Sequence, residues 1–221
     1  MSKLTSKHFT SSGTWTCPAG VTSIYVLAQG GGAGGNGGMN STTSTVMTSG
    51  STIPYITVLN VIPNTTYTIT VGAGGAGGVG RTSSSVPSAG VGGDTSFGAL
   101  YSWLGGVTYG GSSSQPAVSH INHCCPPDLN TLQPYLTTGF KSKIMGIGTS
   151  GGSYRGGKEG LPSAYGSVGG TGGNGNSSGV GGNGGNATGF GASGGGGGAG
   201  SAGGGTGGSG APGQMWVIWV E

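Results

Sequence analysis

Charge is nearly absent from this sequence. Only 5% of its 221 residues are charged, seven basic against four acidic, and the net charge of +3 comes from residues scattered singly along the chain. No basic run interleaves with aromatics, which excludes the electrostatic footprint of a nucleic-acid binder. No apolar run reaches the roughly 18 residues of a membrane-spanning helix, so no membrane insertion is expected. The opening Met1-Ser-Lys-Leu-Thr-Ser-Lys-His8 lacks the apolar stretch of a signal peptide, and synthesis in a cytoplasm without an export leader is the expectation. Three cysteines, an odd number, build no disulfide framework. Amphipathic helix patterns are missing too. The one stretch that could open a helical turn, Pro126-Pro-Asp-Leu-Asn-Thr-Leu132, is stopped by Pro134. Hydrophobic residues make up 32% of the chain, too few for a conventional core throughout. A chain short of both charge and apolar side chains must be held largely by its backbone.

What is abundant is glycine, with 58 residues, and it is ordered in sequence. Val168-Gly-Gly-Thr171-Gly-Gly-Asn174 and Val180-Gly-Gly-Asn183-Gly-Gly-Asn186 carry one side chain every third residue, and Thr206-Gly-Gly-Ser209-Gly-Ala-Pro212 does so with one substitution. Three residues is the turn of a polyproline-II-type helix, which rises about 3.1 Å per residue and has no internal hydrogen bonds. Side chains then line one edge and leave the other two as bare backbone. Fixing glycine costs about 0.5–1 kcal/mol more than fixing alanine. A backbone hydrogen bond returns about 0.5–1.5 kcal/mol net, so the segments repay their entropy only by packing against one another. The composition by itself also fits a disordered Gly/Ser linker. The apolar run Gln214-Met-Trp-Val-Ile-Trp-Val220 that follows favours an ordered lattice.

Taken in order, residues 7–10 and 14–17 read as short strands joined by the Ser11-Ser12-Gly13 turn. Residues 21–29 form a strong strand, with Ile24, Val26 and Ala28 on one face and Tyr25 and Leu27 on the other. Apolar on both faces, it belongs inside a sheet. A glycine segment follows directly, with Ala33, Asn36 and Met39 at intervals of three. The polar stretch 40–52 reads as a tip loop and 53–62 as a strand ended by a Pro63-Asn64 turn. In residues 65–71, Tyr67, Ile69 and Val71 alternate inward with Thr66, Thr68 and Thr70 outward. Again a glycine segment follows, carrying Ala73, Ala76 and Val79. Residues 92–97 read as a turn and short strand. The closing run has Met215, Val217 and Trp219 on one face and Trp216, Ile218 and Val220 on the other. Pairing it with residues 21–29 would close a sandwich. The expected fold is all-β: an antiparallel β-sandwich with a packed bundle of polyglycine-II helices and long loops, and little or no α-helix. The division is 1–99 for the sandwich strands and first glycine segments, 100–165 for a loop-rich insertion, and 166–221 for the glycine segments and closing strand, all one continuous domain.

Chemistry has few candidates. Asp94, Asp128, Glu159 and Glu221 are the only acidic residues and none are paired closely enough in sequence to suggest glycosidase chemistry. Neither a Gly-x-Ser-x-Gly elbow nor a Gly-x-x-x-x-Gly-Lys-Ser/Thr phosphate loop occurs. No enzyme activity and no cofactor are expected. His120, His123, Cys124 and Cys125 are N/S donors of the kind zinc prefers, but adjacent cysteines fit no usual finger spacing, and a metal site is not expected. Trp15, Trp216, Trp219, Tyr25 and Tyr67 lie on strand patterns and read as core. Tyr101, Trp103, Tyr109, Tyr154 and Tyr165 lie in the insertion, where aromatics serve as receptor or subunit contacts or as a satellite core. The loops 40–52 and 81–90 are further candidates.

Several stretches, taken together and in order, resemble the glycine-rich domain of bacteriophage tail-fibre proteins. They are Phe9-Thr-Ser-Ser-Gly-Thr-Trp15-Thr-Cys-Pro18-Ala-Gly-Val-Thr-Ser-Ile-Tyr-Val26, Tyr67-Thr-Ile-Thr-Val-Gly-Ala-Gly-Gly75, Gly92-Gly-Asp-Thr-Ser-Phe97-Gly98 and Gly210-Ala-Pro-Gly-Gln-Met-Trp-Val-Ile-Trp-Val220. The pattern is similar also to the polyglycine-II tip adhesins of T-even-like phages. That resemblance implies a β-sandwich with a polyglycine-II bundle. It also implies a place on a virion as a fibre or fibre-tip protein that attaches to the host surface through loops. The partners implied are a bacterial surface receptor, protein or polysaccharide, and other virion fibre or tail proteins, with a homotrimer among the assemblies to test. The alternative is a structural decoration or connector protein of tail or capsid without receptor contact. An ice-binding glycine bundle is disfavoured, because the third positions mix Val, Thr, Asn, Ala and Ser. Unlike those adhesins, the chain begins its glycine domain almost at Met1, which leaves its mode of attachment open.

Overall fold

The computed structural model describes residues 2–40, 49–82, 88–108, 156–157, 159–163 and 166–221. It is all-β, with no helix among the described residues. Eight strands are formed: β1 Leu4–Phe9, β2 Gly13–Thr16, β3 Ser23–Gln29, β4 Tyr55–Asn60, β5 Thr66–Thr70, β6 Thr95–Phe97, β7 Tyr101–Trp103 and β8 Gln214–Val220. They make two four-stranded antiparallel sheets, in the orders β1-β8-β3-β4 and β2-β5-β6-β7.

Alternation decides the faces. From the first sheet Phe9, Ile24, Val26, Leu59, Met215, Val217 and Trp219 point inward. They meet Trp15, Ile69, Phe97 and Trp103 of the second. Trp15 stands edge-on to Trp219 with ring centroids 5.5 Å apart, joining the two sheets at the centre. The turn at residues 10–12 does not pair its flanking strands. β1 and β2 lie in different sheets, so the chain turns a corner that lets Phe9 and Trp15 enter the same core from opposite sides. The Pro63-Asn64 turn forms as expected, with Asn64 at φ 59° in the third position and Thr65 N–H on the Ile62 carbonyl. Cys17 is buried with its thiol donating to the Val21 carbonyl at 3.2 Å. That burial pushes the thiol pKa up.

β8 is paired on both sides, to β1 and to β3, as the expected closing strand must be. Among the described residues, the second sheet covers only one face of β8. On the outer face the ladders align Ser6, Ile218, Tyr25 and Val58 in one row, and His8, Trp216, Leu27 and Ile56 in the next. Tyr25 is 49% exposed and Val58 56%. Tyr25 and Trp216 are therefore not core residues. The alternation that buries Ile24, Val26, Met215 and Val217 turns them outward, and the second sheet covers the inner side alone. Trp216 is sheltered by His8, which stacks on it at 4.0 Å and donates from Nε2 to Gln214 Oε1.

Most connections run through glycine. The chain leaves β3 as residues 30–39, leaves β5 as 72–81, and leaves β7 at 104. After 156 it passes back and forth until it enters β8 at 214. These excursions form one lattice. Residues 30–39 run through its interior, and every residue from 31 to 39 is buried. Their bonds obey the period of three. Gly32, Gly35 and Gly38 donate to Ala211, Gly208 and Gly205, and accept from Gly75, Gly78 and Arg81. Ala33, Asn36 and Met39 accept from Gly194, Gly197 and Gly200, while Gly31 and Gly34 donate to Gly93 and Gly90. One extended helix is thus bonded to neighbours on all its edges. A second interior segment, 194–198, is five consecutive glycines. It takes bonds from 173, 205 and 208 and gives them to 33, 36, 182 and 185.

Glycine is needed here for proximity, not for unusual dihedrals. Positive φ among the described glycines is confined to Gly20, Gly98, Gly166, Gly189, Gly191 and Gly203. A Cβ added at Gly35 would instead collide with the Gly195 carbonyl, and one at Gly195 with the Thr171 carbonyl.

Candidate functional site

Residues 30–39, 72–81, 168–176 and 191–200 run outward from the sandwich, and 180–187 and 203–213 return. Several ends of these runs meet at the far end of the lattice. Arg81 donates to Gly38 and accepts from Gly204, Gly200 donates to Met39, and isolated bridges join Asn176 to Gly200 and Val180 to Gly203. The turn between 176 and 180 is set by one side chain. Asn176 Oδ1 accepts from the Ser178 N–H at 3.0 Å and its Nδ2 donates to the Val180 carbonyl at 3.0 Å. Ser201 N–H and Ala202 N–H then bond to the Asn176 and Gly179 carbonyls. The result is a tip fixed by backbone bonds that presents Arg81, Thr82, Ser177, Ser178 and Ala202 to solvent. Arg81 is the charged group among these described tip residues.

Further back, Ser49 and Thr108 pair in an antiparallel bridge, and Gly50 binds Ala33 and Val107. The residue after 41–48 and the residue before 109 therefore lie together beside the middle of the lattice, whereas the chain enters 41–48 from the far end, after Met39. A surface of short hydrogen-bonding side chains and backbone can recognise a partner by polar contacts. The described tip residues bring no cluster of titratable groups together for catalysis.

Two of the aromatic contact candidates are placed elsewhere by the structure. Trp103 is 0% exposed, sits in the sandwich core and donates its indole N–H to the Tyr55 carbonyl at 3.2 Å. Tyr101 packs half-buried against the same core, its ring 4.9 Å from Trp103 and edge-on to Tyr55. Trp103 is thus part of the sandwich core and Tyr101 lines its edge. Together they form β7, which pairs with β6 through the Gly98 turn. The sandwich thus extends into the stretch that composition assigned to an insertion, and Gly105, Gly106, Gly157 and Gly160 extend the lattice into it as well. Tyr109, Tyr154, Tyr165, His120, His123, Cys124 and Cys125 lie outside the described residues, as do 41–48 and 83–87 of the two polar loops. Asp94, one of the few carboxylates, accepts from the Gly105 N–H at 2.8 Å.

The periodicity did not reveal what the third-position asparagines do. Asn183 and Asn186 lie on the lattice surface and reach across to the next segment, accepting from the Thr206 N–H at 2.9 Å and the Ser209 N–H at 2.8 Å. A surface helix lacks an outer neighbour, and these amides supply the missing acceptors. Replacing either by Ala should cost about 0.5–1.5 kcal/mol per bond lost. Urea unfolding of Asn183→Ala, Asn186→Ala and the double variant will show whether the two losses add, as their separate partners require.

The glycine-rich domain family model matches residues 6–220, and the chain belongs to that family. No curated protein matches the sequence.

Proposed function

We propose that this glycine-rich domain protein is a phage virion fibre or fibre-tip protein, and that it attaches to the host surface through loops held on the rigid glycine lattice. The observation that carries this reading is the routing of the chain. Segment after segment leaves the sandwich as bare backbone, and the side-chain-rich sequence resumes only away from the strands, near Met39, Arg81, Asn176 and Gly200 and beside the Ser49–Thr108 bridge. A scaffold with almost no side chains of its own offers little for specific binding, so recognition falls to what it displays. A bacterial surface receptor, protein or polysaccharide, is the partner this arrangement suits.

A second reading, a decoration or connector protein of the virion, draws on a different observation: the uncharged apolar outer face of the first sheet, with Tyr25 and Val58 exposed. One experiment separates the two. In the virus that carries the protein, residues 109–155 are replaced by a short Ser-Gly linker, and Arg81→Glu is made separately. Receptor attachment predicts normal particle yield with adsorption reduced about tenfold or more, a loss of at least about 1.4 kcal/mol of binding. Failure to assemble particles supports the structural role, and normal assembly with normal adsorption removes the attachment reading.

A further inference from the structure

Among the described residues the first sheet has two unpaired edges that differ in chemistry. β1 carries Lys7 within it and Lys3 before it, the usual protection of an edge against pairing with another chain. β4 has no such protection. Residues 53–62, Ile-Pro-Tyr-Ile-Thr-Val-Leu-Asn-Val-Ile, contain no charge, and their proline stands before the strand, not in it.

The ladder shows which backbone groups are open. Val61 N–H donates to the Thr22 carbonyl at 2.9 Å. In an antiparallel pair the bonding direction alternates residue by residue. The odd-numbered residues of β4 therefore bond toward β3, while Ile56, Val58 and Asn60 turn their N–H and C=O groups away from the sheet. Among the described residues no strand pairs with that side of β4.

We propose that β4 pairs with β4 of a second copy of this chain, antiparallel about a two-fold axis at Val58, to give one continuous sheet from two four-stranded ones. The register follows from the outward set: Val58 lies opposite its own counterpart, and Ile56 opposite Asn60. Three features select a second copy as the occupant. The strand is neutral, so self-pairing brings no like charges together even though each chain carries +3. The open set 56, 58, 60 is symmetric about its centre, as an isologous contact requires. Two-fold pairing also consumes both unprotected edges and leaves only the lysine-bearing β1 edges at the ends of the joined sheet. The row Tyr25–Val58 then runs on across the junction into its own counterpart, while the row Leu27–Ile56 meets Asn60 and Ser23 of the second copy. A single strand pair buries less than the roughly 800 Å² per partner of a standard interface, so the dimer is weak and concentration-dependent.

Sedimentation velocity on the full chain, over a concentration series from micromolar to near millimolar, should show a reversible monomer–dimer equilibrium. Val58→Lys, at an exposed position, should raise the dissociation constant about tenfold or more. Leu4→Lys, on the same outer face but on β1, should leave it unchanged. Hydrogen exchange on the wild-type chain gives an independent readout: the Ile56, Val58 and Asn60 amides should slow as concentration rises, while Thr57 and Leu59 stay protected throughout. A chain that remains monomeric over the whole range overturns the proposal, as does a trimer. A dimer weakened equally by both lysines, or one without alternate-amide protection, overturns it in favour of face-to-face contact.

Discussion

Gly35→Ala should destabilise the protein by about 3–4 kcal/mol, although the same change usually helps. At a site that tolerates a methyl group, replacing glycine with alanine stabilises by about 0.4–1 kcal/mol, because the unfolded chain loses freedom. Gly35 has no room for the methyl. It donates to Gly208, accepts from Gly78, and faces the Gly195 carbonyl, so three different segments close around it. Overpacking a dense interior costs about 1–3 kcal/mol. Moving the backbone aside weakens bonds worth about 0.5–1.5 kcal/mol each. The steric and hydrogen-bond losses together exceed the entropic gain several-fold. For a chain of this size that is a fall of about 6–16 °C in melting temperature, readable by differential scanning fluorimetry. Ala76→Ser, on an exposed outer edge, should stay within about 0.5 kcal/mol. A Gly35→Ala protein that melts with the wild type would mean that the lattice is loosely packed.

Val217→Asp should abolish folding. Val217 is 0% exposed at the middle of β8, between β1 and β3, and its side chain lies among the inward apolar residues. An unpaired carboxylate there costs several kcal/mol at least, against a total stability of about 5–15 kcal/mol. The cation directly across the ladder is Lys7, whose Nζ rides 4.8 Å over the Phe9 ring at the exposed edge. Drawing it inward would bury both charges, which rarely repays its own desolvation. Val217→Ala, which only removes methyl groups, should cost about 2–4 kcal/mol and still fold. Tryptophan fluorescence and circular dichroism will distinguish these outcomes. A Val217→Asp chain that unfolds cooperatively near the wild-type temperature would show that β8 does not close the sandwich.

Where a local pattern matched a local cause, the sequence was readable. Residues 214–220 are apolar on both faces and became the doubly paired β8, and the Thr-alternating run at 66–70 became β5 with Ile69 buried. The three-residue glycine period became a lattice because it leaves two edges of every helix bare. What escaped was decided by elements distant in sequence. Tyr101 and Trp103 sit in a strand of three residues, too short for periodicity to register. The cue was the spacing Thr95-Ser-Phe97 and Tyr101-Ser-Trp103 about a glycine turn. Tyr25 and Trp216 alternate as core residues would, yet alternation says only that a strand has two faces, not that both are covered. The acceptor role of Asn183 and Asn186 depends on which segment lies beside which. The run 194–198 keeps no side chain at all, whereas the buried run 31–39 still carries Ala33, Asn36 and Met39 at every third position.

That side-chain-poor interior gives the protein an unusual thermal character. Heat capacity on unfolding comes mainly from apolar surface meeting water, about 12–15 cal/mol/K per residue in ordinary domains, and exposed peptide groups subtract from it. Here much of the chain is buried as peptide against peptide, and the apolar core is limited to the sandwich. The increment per residue therefore falls below the ordinary range and the stability curve is flattened. The folded state changes little in free energy between a cold environment and a warm one.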